Sequence, residues 1–111
     1  MDHDDENRLL GQTIYGDATG DLFGYRVDVS SDGYLLAIAS PGDLACPGYV
    51  RLFSLCSSDD LATNSWNQIG IDITGKVVSY CYGWYVFLSG DGKTVAIGAD
   101  GKMGMESFLV T

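Results

Sequence analysis

Basic side chains are scarce in this chain: six Lys and Arg stand against fifteen Asp and Glu, a formal net charge of −9. That balance opposes contact with phosphate backbones and anionic lipid, so nucleic acid is excluded as an expected partner and the charge reads as a solubility device. Histidine is nearly absent, with His3 alone, and neither HExxH nor CxxC occurs. A zinc site or a histidine-based triad therefore lacks its parts, and no cofactor is expected. No apolar run approaches the roughly 20 residues needed to cross a bilayer, so no membrane insertion is expected. The first eight residues are acidic and polar where a secretory signal needs a basic and then an apolar stretch, so no signal peptide is expected either. Only two prolines rule out a collagen-like or linker composition. The three cysteines, Cys46, Cys56 and Cys81, allow at most one bridge. Cys46 and Cys56 flank an expected strand and are either joined across a short loop or left as thiols; spacing does not choose between these.

What is present points to β structure. A hydrophobic fraction of 46% is enough for a core, and fifteen Gly with seven Tyr indicate tight turns between aromatic-rich strands. The chain also repeats itself. An ungapped offset of 59 residues carries Gly11 onto Gly70, Ile14 onto Ile73, Gly16 onto Gly75 and Gly24 onto Gly83. It carries Val27, Ser30, Asp32, Gly33, Ala37, Ile38 and Gly42 onto Val86, Ser89, Asp91, Gly92, Ala96, Ile97 and Gly101, and it keeps aromatic character at Phe23/Tyr82 and Tyr49/Phe108. Shared turn glycines together with shared core positions mark a true internal repeat. The expected organisation is an acidic flexible tail (1–8), a first repeat (9–56), a linker loop (57–65) and a second repeat (66–111) that stops near the position equivalent to Leu52.

Asp32-Gly33 and Asp91-Gly92 fall between strand-like runs, 25–30 with 34–39 and 84–89 with 93–99. Asp-Gly at such a place predicts a hairpin tip, because Gly accepts positive φ and the Asp side chain bonds nearby amides. Alternation predicts further strands at 49–55 and 66–73, the latter presenting Ile69, Ile71 and Ile73 on one face. The stretches 35–39 and 95–99 are apolar on both faces, so each needs cover on two sides, as stacked sheets provide. The fold class expected is all-β, antiparallel throughout.

The run Trp66-Asn67-Gln68-Ile69-Gly70-Ile71-Asp72-Ile73-Thr74-Gly75, then Tyr82-Gly83, then Ser89-Gly90-Asp91-Gly92-Lys93-Thr94-Val95-Ala96-Ile97-Gly98-Ala99 resembles one unit of the FG-GAP repeat family, the blades of integrin-alpha-type β-propellers. The first copy supplies Phe23-Gly24 and Ala39-Ser40-Pro41, the second Tyr82-Gly83 and Gly98-Ala99-Asp100. The resemblance implies about two four-stranded blades of a partial propeller, of a kind found in extracellular or cell-surface proteins that bind other proteins, and it does not imply an enzyme. Calcium is not expected as an obligatory ligand, because residues 42–48 and 101–106 lack the alternating acids of the family's calcium loop. A closed propeller typically needs at least about four blades, so this chain is expected to belong to a larger ring, to be a degenerate remnant, or to assemble from several copies.

Other constellations read as structure first. Asp17, Asp21, Asp28, Asp32 and Asp43 form a possible carboxylate set confined to the first copy, since Asp17, Asp21, Asp28 and Asp43 align with Lys76, Tyr80, Phe87 and Lys102; the plainer reading is solvated turns. Gly92-Lys93-Thr94 resembles the end of a phosphate loop, but Phe87 stands where that loop needs another Gly. Met1-Asp2-His3 has a spacing that suits Cu(II) or Ni(II), against the plainer reading of a solvated tail. Trp66, Tyr80, Tyr82, Trp84 and Tyr85 either line a sugar- or peptide-binding surface or pack the core, with Tyr80 and Tyr85 the most exposed. The function expected is a non-catalytic protein- or glycan-binding or scaffolding module, its binding residues unknown. The rival is a piece of a propeller hydrolase or lyase whose catalytic residues lie elsewhere. Two units leave two outer faces without cover, so the isolated chain is expected to self-associate, to associate with further repeats, or to be only partly ordered.

Overall fold

A computed structural model of the protein describes residues 9–42, 48–56, 64–74, 85–98 and 105–110. Its organising units are the two Asp-Gly hairpins. In the first, Asp32 Oδ1 accepts hydrogen bonds from the Tyr34 amide (3.0 Å) and the Ser30 hydroxyl (2.7 Å), and Gly33 donates to the Ser30 carbonyl. Asp91 does the same with Lys93 (3.0 Å) and Ser89 (2.7 Å), and Gly92 donates to the Ser89 carbonyl. Two diverged sequences thus build one turn, with the glycines at φ +81° and +76°.

Seven strands grow from these hairpins: β1 (Arg26–Val29), β2 (Leu35–Ser40), β3 (Tyr49–Cys56), β4 (Ser65–Thr74), β5 (Tyr85–Leu88), β6 (Thr94–Gly98) and β7 (Met105–Leu109). They form two antiparallel sheets, ordered β1-β2-β3-β4 and β5-β6-β7. A short 3-10 turn, Thr19–Asp21, precedes β1. Among the described residues no helix is long and apolar enough to cross a membrane. The all-β, antiparallel expectation holds, and so do the hairpin tips. Residues 1–8, the loop at 57–63, and Tyr80, Tyr82, Trp84, Cys46 and Cys81 lie outside the described residues; Cys56 is an exposed free thiol.

The core forms where the sheets stack. Ala37, Ala39, Val50 and Leu52 of the first sheet meet Val86, Val95 and Ile97 of the second, with Ile69, Ile73, Leu88, Phe108 and Val110 packed around them. The strand registers show that this stacking runs front to back. Val86, Val95 and Ile97 are the repeat equivalents of Val27, Leu36 and Ile38, which lie on the face of the first sheet opposite to Ala37 and Ala39. Each sheet therefore uses a different face at the shared interface, as the two-faced apolar strands require.

Three expectations need correction. Ile71 does not share a buried face with Ile69 and Ile73: it is 87% exposed, because β4 carries an irregularity where Arg51 opposes the stretch between Ile69 and Ile73 and Gly70 adopts φ +68°. Phe108 does not stand at the place of Tyr49. Leu109 pairs with Thr94 as Ser54 pairs with Leu35, so the offset in β7 is 109 − 54 = 55 rather than 59, and Phe108 occupies the place of Phe53. The second copy consequently runs through its third strand, with Val110 at the position of Leu55, rather than stopping near that of Leu52. In addition β4, which the sequence places in the second repeat, hydrogen-bonds into the first sheet, so the sequence phase and the sheet phase differ by one strand.

The stacking makes the two turn glycines unequal. A Cβ added at Gly92 would collide with Leu35 Cδ1 from the facing sheet, whereas one at Gly33 would meet open space. Both positions require positive φ, which costs a non-glycine residue about 1–2 kcal/mol. Gly33→Ala is expected to lower stability by about 1 kcal/mol and Gly92→Ala by about 2–3 kcal/mol, the difference arising from overpacking between the sheets. Urea titration of both variants checks this; equal losses would mean that Leu35 does not wedge the interface.

Candidate functional site

β1 and β5 are the terminal strands of their sheets, and they lie side by side. What joins them is a carboxylate: Asp28 Oδ2 accepts the Leu88 amide of the other sheet at 2.6 Å, and Oδ1 accepts the amide of Val29 at 2.9 Å. At the hairpin end the Ser31 amide donates to the Gly90 carbonyl at 2.9 Å. Between these strands runs a cleft of about 310 Å³ lined by Arg26, Val27, Asp28, Tyr85, Val86 and Phe87.

Arg26 dominates its chemistry. The guanidinium carbon lies 5.1 Å from the ring centre of Tyr25 and 5.4 Å from that of Tyr85, within the range of cation–π attraction. Among the described residues it forms no ion pair, and Asp28, the acid nearest in sequence, is engaged by two backbone amides. Phe87, 62% exposed, adds an apolar wall. The residues that make the cleft are repeat equivalents that have diverged: Arg26 answers to Tyr85 and Asp28 to Phe87.

A second polar cluster lies on the opposite face of the first sheet. Arg51 donates through Nε and one terminal nitrogen to both oxygens of Asp72 (2.8 and 3.0 Å) and to Asp17 (2.6 Å), with its guanidinium carbon 4.5 Å from the Tyr49 ring centre. Gln68 donates to Asp72 at 2.7 Å, the Tyr49 hydroxyl donates to Asp21 at 2.9 Å, and Ser40 donates to the Asp21 carbonyl at 2.7 Å. The hydrogen bonds from Arg51 hold the Asp72 carboxyl below its ordinary value, those from Asp72 and Asp17 push the Arg51 guanidinium up, and burial raises the Tyr49 phenol. The cluster's hydrogen bonds are made within itself and strap residues 17–24 to the sheet.

The structure disperses the acidic set read from the sequence. Asp17 and Asp21 belong to the strap, Asp28 joins the sheets, Asp32 closes a turn, and Asp43 lies outside the described residues. Gly92-Lys93-Thr94 is the descending side of a hairpin, with Lys93 N bonded to Asp91 and Thr94 N to Ser89 Oγ, so these amides face no phosphate. Trp66 is half-buried, its indole donating to the Leu10 carbonyl at 3.2 Å, while Tyr85 is exposed as expected. His3 lies outside the described residues, and among those described no three His, Cys, Asp or Glu side chains gather as a metal set. Sequence reading passed over Arg26 and took Phe87 only as the non-equivalent of Asp28. The signal available for both was this substitution of chemistry at equivalent repeat positions. Comparison with protein-family models, curated proteins and solved structures gives no match.

Proposed function

We propose that the protein is a non-catalytic binding and scaffolding module, a piece of an FG-GAP-like propeller with the extracellular or cell-surface setting that such a repeat implies, and that the β1–β5 cleft is its binding site. The observation that carries this reading is Arg26, flanked by two tyrosine rings and free of a carboxylate partner among the described residues, at the mouth of a cleft walled by Phe87. Front-to-back stacking of the two sheets supports the repeat reading, because it allows one interface to be used again by further units. An arginine held against rings suits a ligand that presents a carboxylate beside a flat or apolar surface, since charged hydrogen bonds supply direction and the aromatics supply contact area. Acidic oligosaccharides and acidic peptides both offer this.

Titration of the full chain with a glucuronate-containing oligosaccharide and, separately, with a Glu- and Phe-containing peptide tests the reading by NMR. Ligand is expected to shift the resonances of Arg26, Tyr85 and Phe87. Arg26→Ala is expected to weaken binding roughly tenfold or more, the value of one charged hydrogen-bond donor. Shifts confined to other residues, or binding indifferent to Arg26→Ala, would remove the cleft from consideration.

A further inference from the structure

The repeat offset that carries Gly11 onto Gly70 carries residues 9–15 onto residues 68–74, the larger part of β4. In the first sheet β4 is the fourth strand and hydrogen-bonds to β3; in the second sheet nothing among the described residues occupies the matching edge of β7. Residues 9–15 form no strand of their own. They nevertheless have the shape of one: Gly11 adopts φ +75°, matching the φ +68° of Gly70 at the irregularity in β4. Leu10 and Ile14 fall at the positions of Ile69 and Ile73, the two β4 residues packed against the core, and Leu10 is exposed. One side of the segment is already fixed, because the Gln12 side chain exchanges bonds of 2.7 and 2.8 Å with the backbone of Trp66.

From this equivalence we propose that a second copy of the chain contributes residues 9–15 as the fourth strand on the edge of β7 that no described strand occupies. The operation is the one that already relates the two sheets within a chain. Applied once more, it lays the exposed Val27 and Val29 of the incoming copy, equivalents of the interface residues Val86 and Leu88, on the outer face of the second sheet, where Leu109 is exposed and where Phe87 also walls the β1–β5 cleft, so that assembly and a cleft ligand compete for Phe87. The new contact continues the internal interface rather than inventing a surface. The open space at Gly33, where Gly92 is wedged by Leu35, is the vacant counterpart of that contact, to be met by Thr94, the equivalent of Leu35. Strand addition supplies backbone hydrogen bonds to an edge that otherwise invites uncontrolled pairing. The assembly is head to tail, so it closes as a ring or grows as a filament.

By equivalence with Leu52 and Ile69, Ser107 of one copy should stand directly opposite Leu10 of the next. The test uses the full chain with Cys46, Cys56 and Cys81 changed to Ser, in three single-cysteine forms: Leu10→Cys, Ser107→Cys and Val110→Cys. Directly opposed strand residues approach the separation a disulfide needs, whereas residues three positions along do not. Mild oxidation of mixed Leu10→Cys and Ser107→Cys chains is expected to give about tenfold more linked dimer than either alone or than Leu10→Cys mixed with Val110→Cys. Light scattering of the unsubstituted chain at about 100 μM is expected to give a mass above that of one chain. Equal linking in the two mixtures would overturn the register, and a monomer in the scattering experiment would overturn the assembly whether or not the substituted chains fold.

Discussion

Ile97→Ala is expected to lower the stability of the folded chain by about 4 kcal/mol, while Ile71→Ala changes it by no more than about 0.5 kcal/mol. Both are isoleucines within predicted strands, and hydrophobicity alone does not separate them. Their surroundings do: Ile97 is fully buried and is among the largest side chains at the junction of the two sheets, whereas Ile71 is 87% exposed on the irregular part of β4. Removing Ile97 deletes buried methylene groups from a cluster that Val50, Val86 and Val95 share across two sheets, and strand pairing limits how far that cluster can collapse into the hole. Packing and transfer losses then add, which places the effect toward the upper part of the range for buried isoleucine. In a domain of this size such a loss corresponds to a fall in melting temperature of about 15–25 °C. Differential scanning fluorimetry of the two variants checks both numbers. Similar losses from the two would mean that the sheets do not stack through Ile97.

How far the sequence foretold this arrangement depended on the range of the interaction involved. Asp32-Gly33 and Asp91-Gly92 are local signals, because the turn is made by residues that hydrogen-bond across two positions, and the hairpins follow from them. The two-faced apolar pattern of β2 and β6, in a chain with no convincing helical periodicity, foretold stacked sheets, since an open solvated sheet leaves one face uncovered. The register of β7 was not legible. The offset of 59 persists through β6 and then contracts, and an ungapped comparison has no term for a loop that shortens while the strand after it keeps its pairing. Ile71 misled for a related reason, because period-two alternation assumes an unbroken ladder and Gly70 interrupts it. Of the cleft, Tyr85 was legible as an exposed aromatic. Arg26 was not, because its significance comes from Tyr25 and Tyr85, the latter 59 positions away, and from the engagement of Asp28 by Leu88. The spread of the acidic residues shows the same limit: five aspartates in one repeat look like a set in sequence, yet the four described bond to partners in three different places.

Arg51→Met is expected to be the most damaging polar substitution among the described residues, with a loss of about 2 kcal/mol and a changed response to acid. The methionine keeps most of the stem and removes the guanidinium, whose carbon lies 5.9 Å from the Phe23 ring centre and 4.5 Å from that of Tyr49. Two contributions set the magnitude. The bidentate bond to Asp72 is partly buried, the Arg51 side chain being 11% exposed, and charged hydrogen bonds of this kind contribute about 1.5–3 kcal/mol. The bond to Asp17 is largely in solvent and adds at most about 1 kcal/mol, with salt screening reducing it further. Asp72 would also be left with Gln68 alone as a side-chain donor. The pH dependence separates this account from a plain packing defect. Arg51 holds the Asp72 carboxyl below the ordinary 3.8, so its stabilisation is present above that value and is lost as pH falls through the lowered one. Asp32 and Asp91, held low by the amides of Tyr34 and Lys93, lose stability in the same acid range and are untouched by the substitution. Native-chain stability should therefore fall steeply below about pH 4, and the Arg51→Met chain should fall less steeply over the same range, so that the two curves converge in acid. Urea titrations at intervals between about pH 6 and pH 2.5 measure this directly; curves that stay parallel would show that Asp72 gains nothing from Arg51 and that the loss comes from packing against the tyrosine alone.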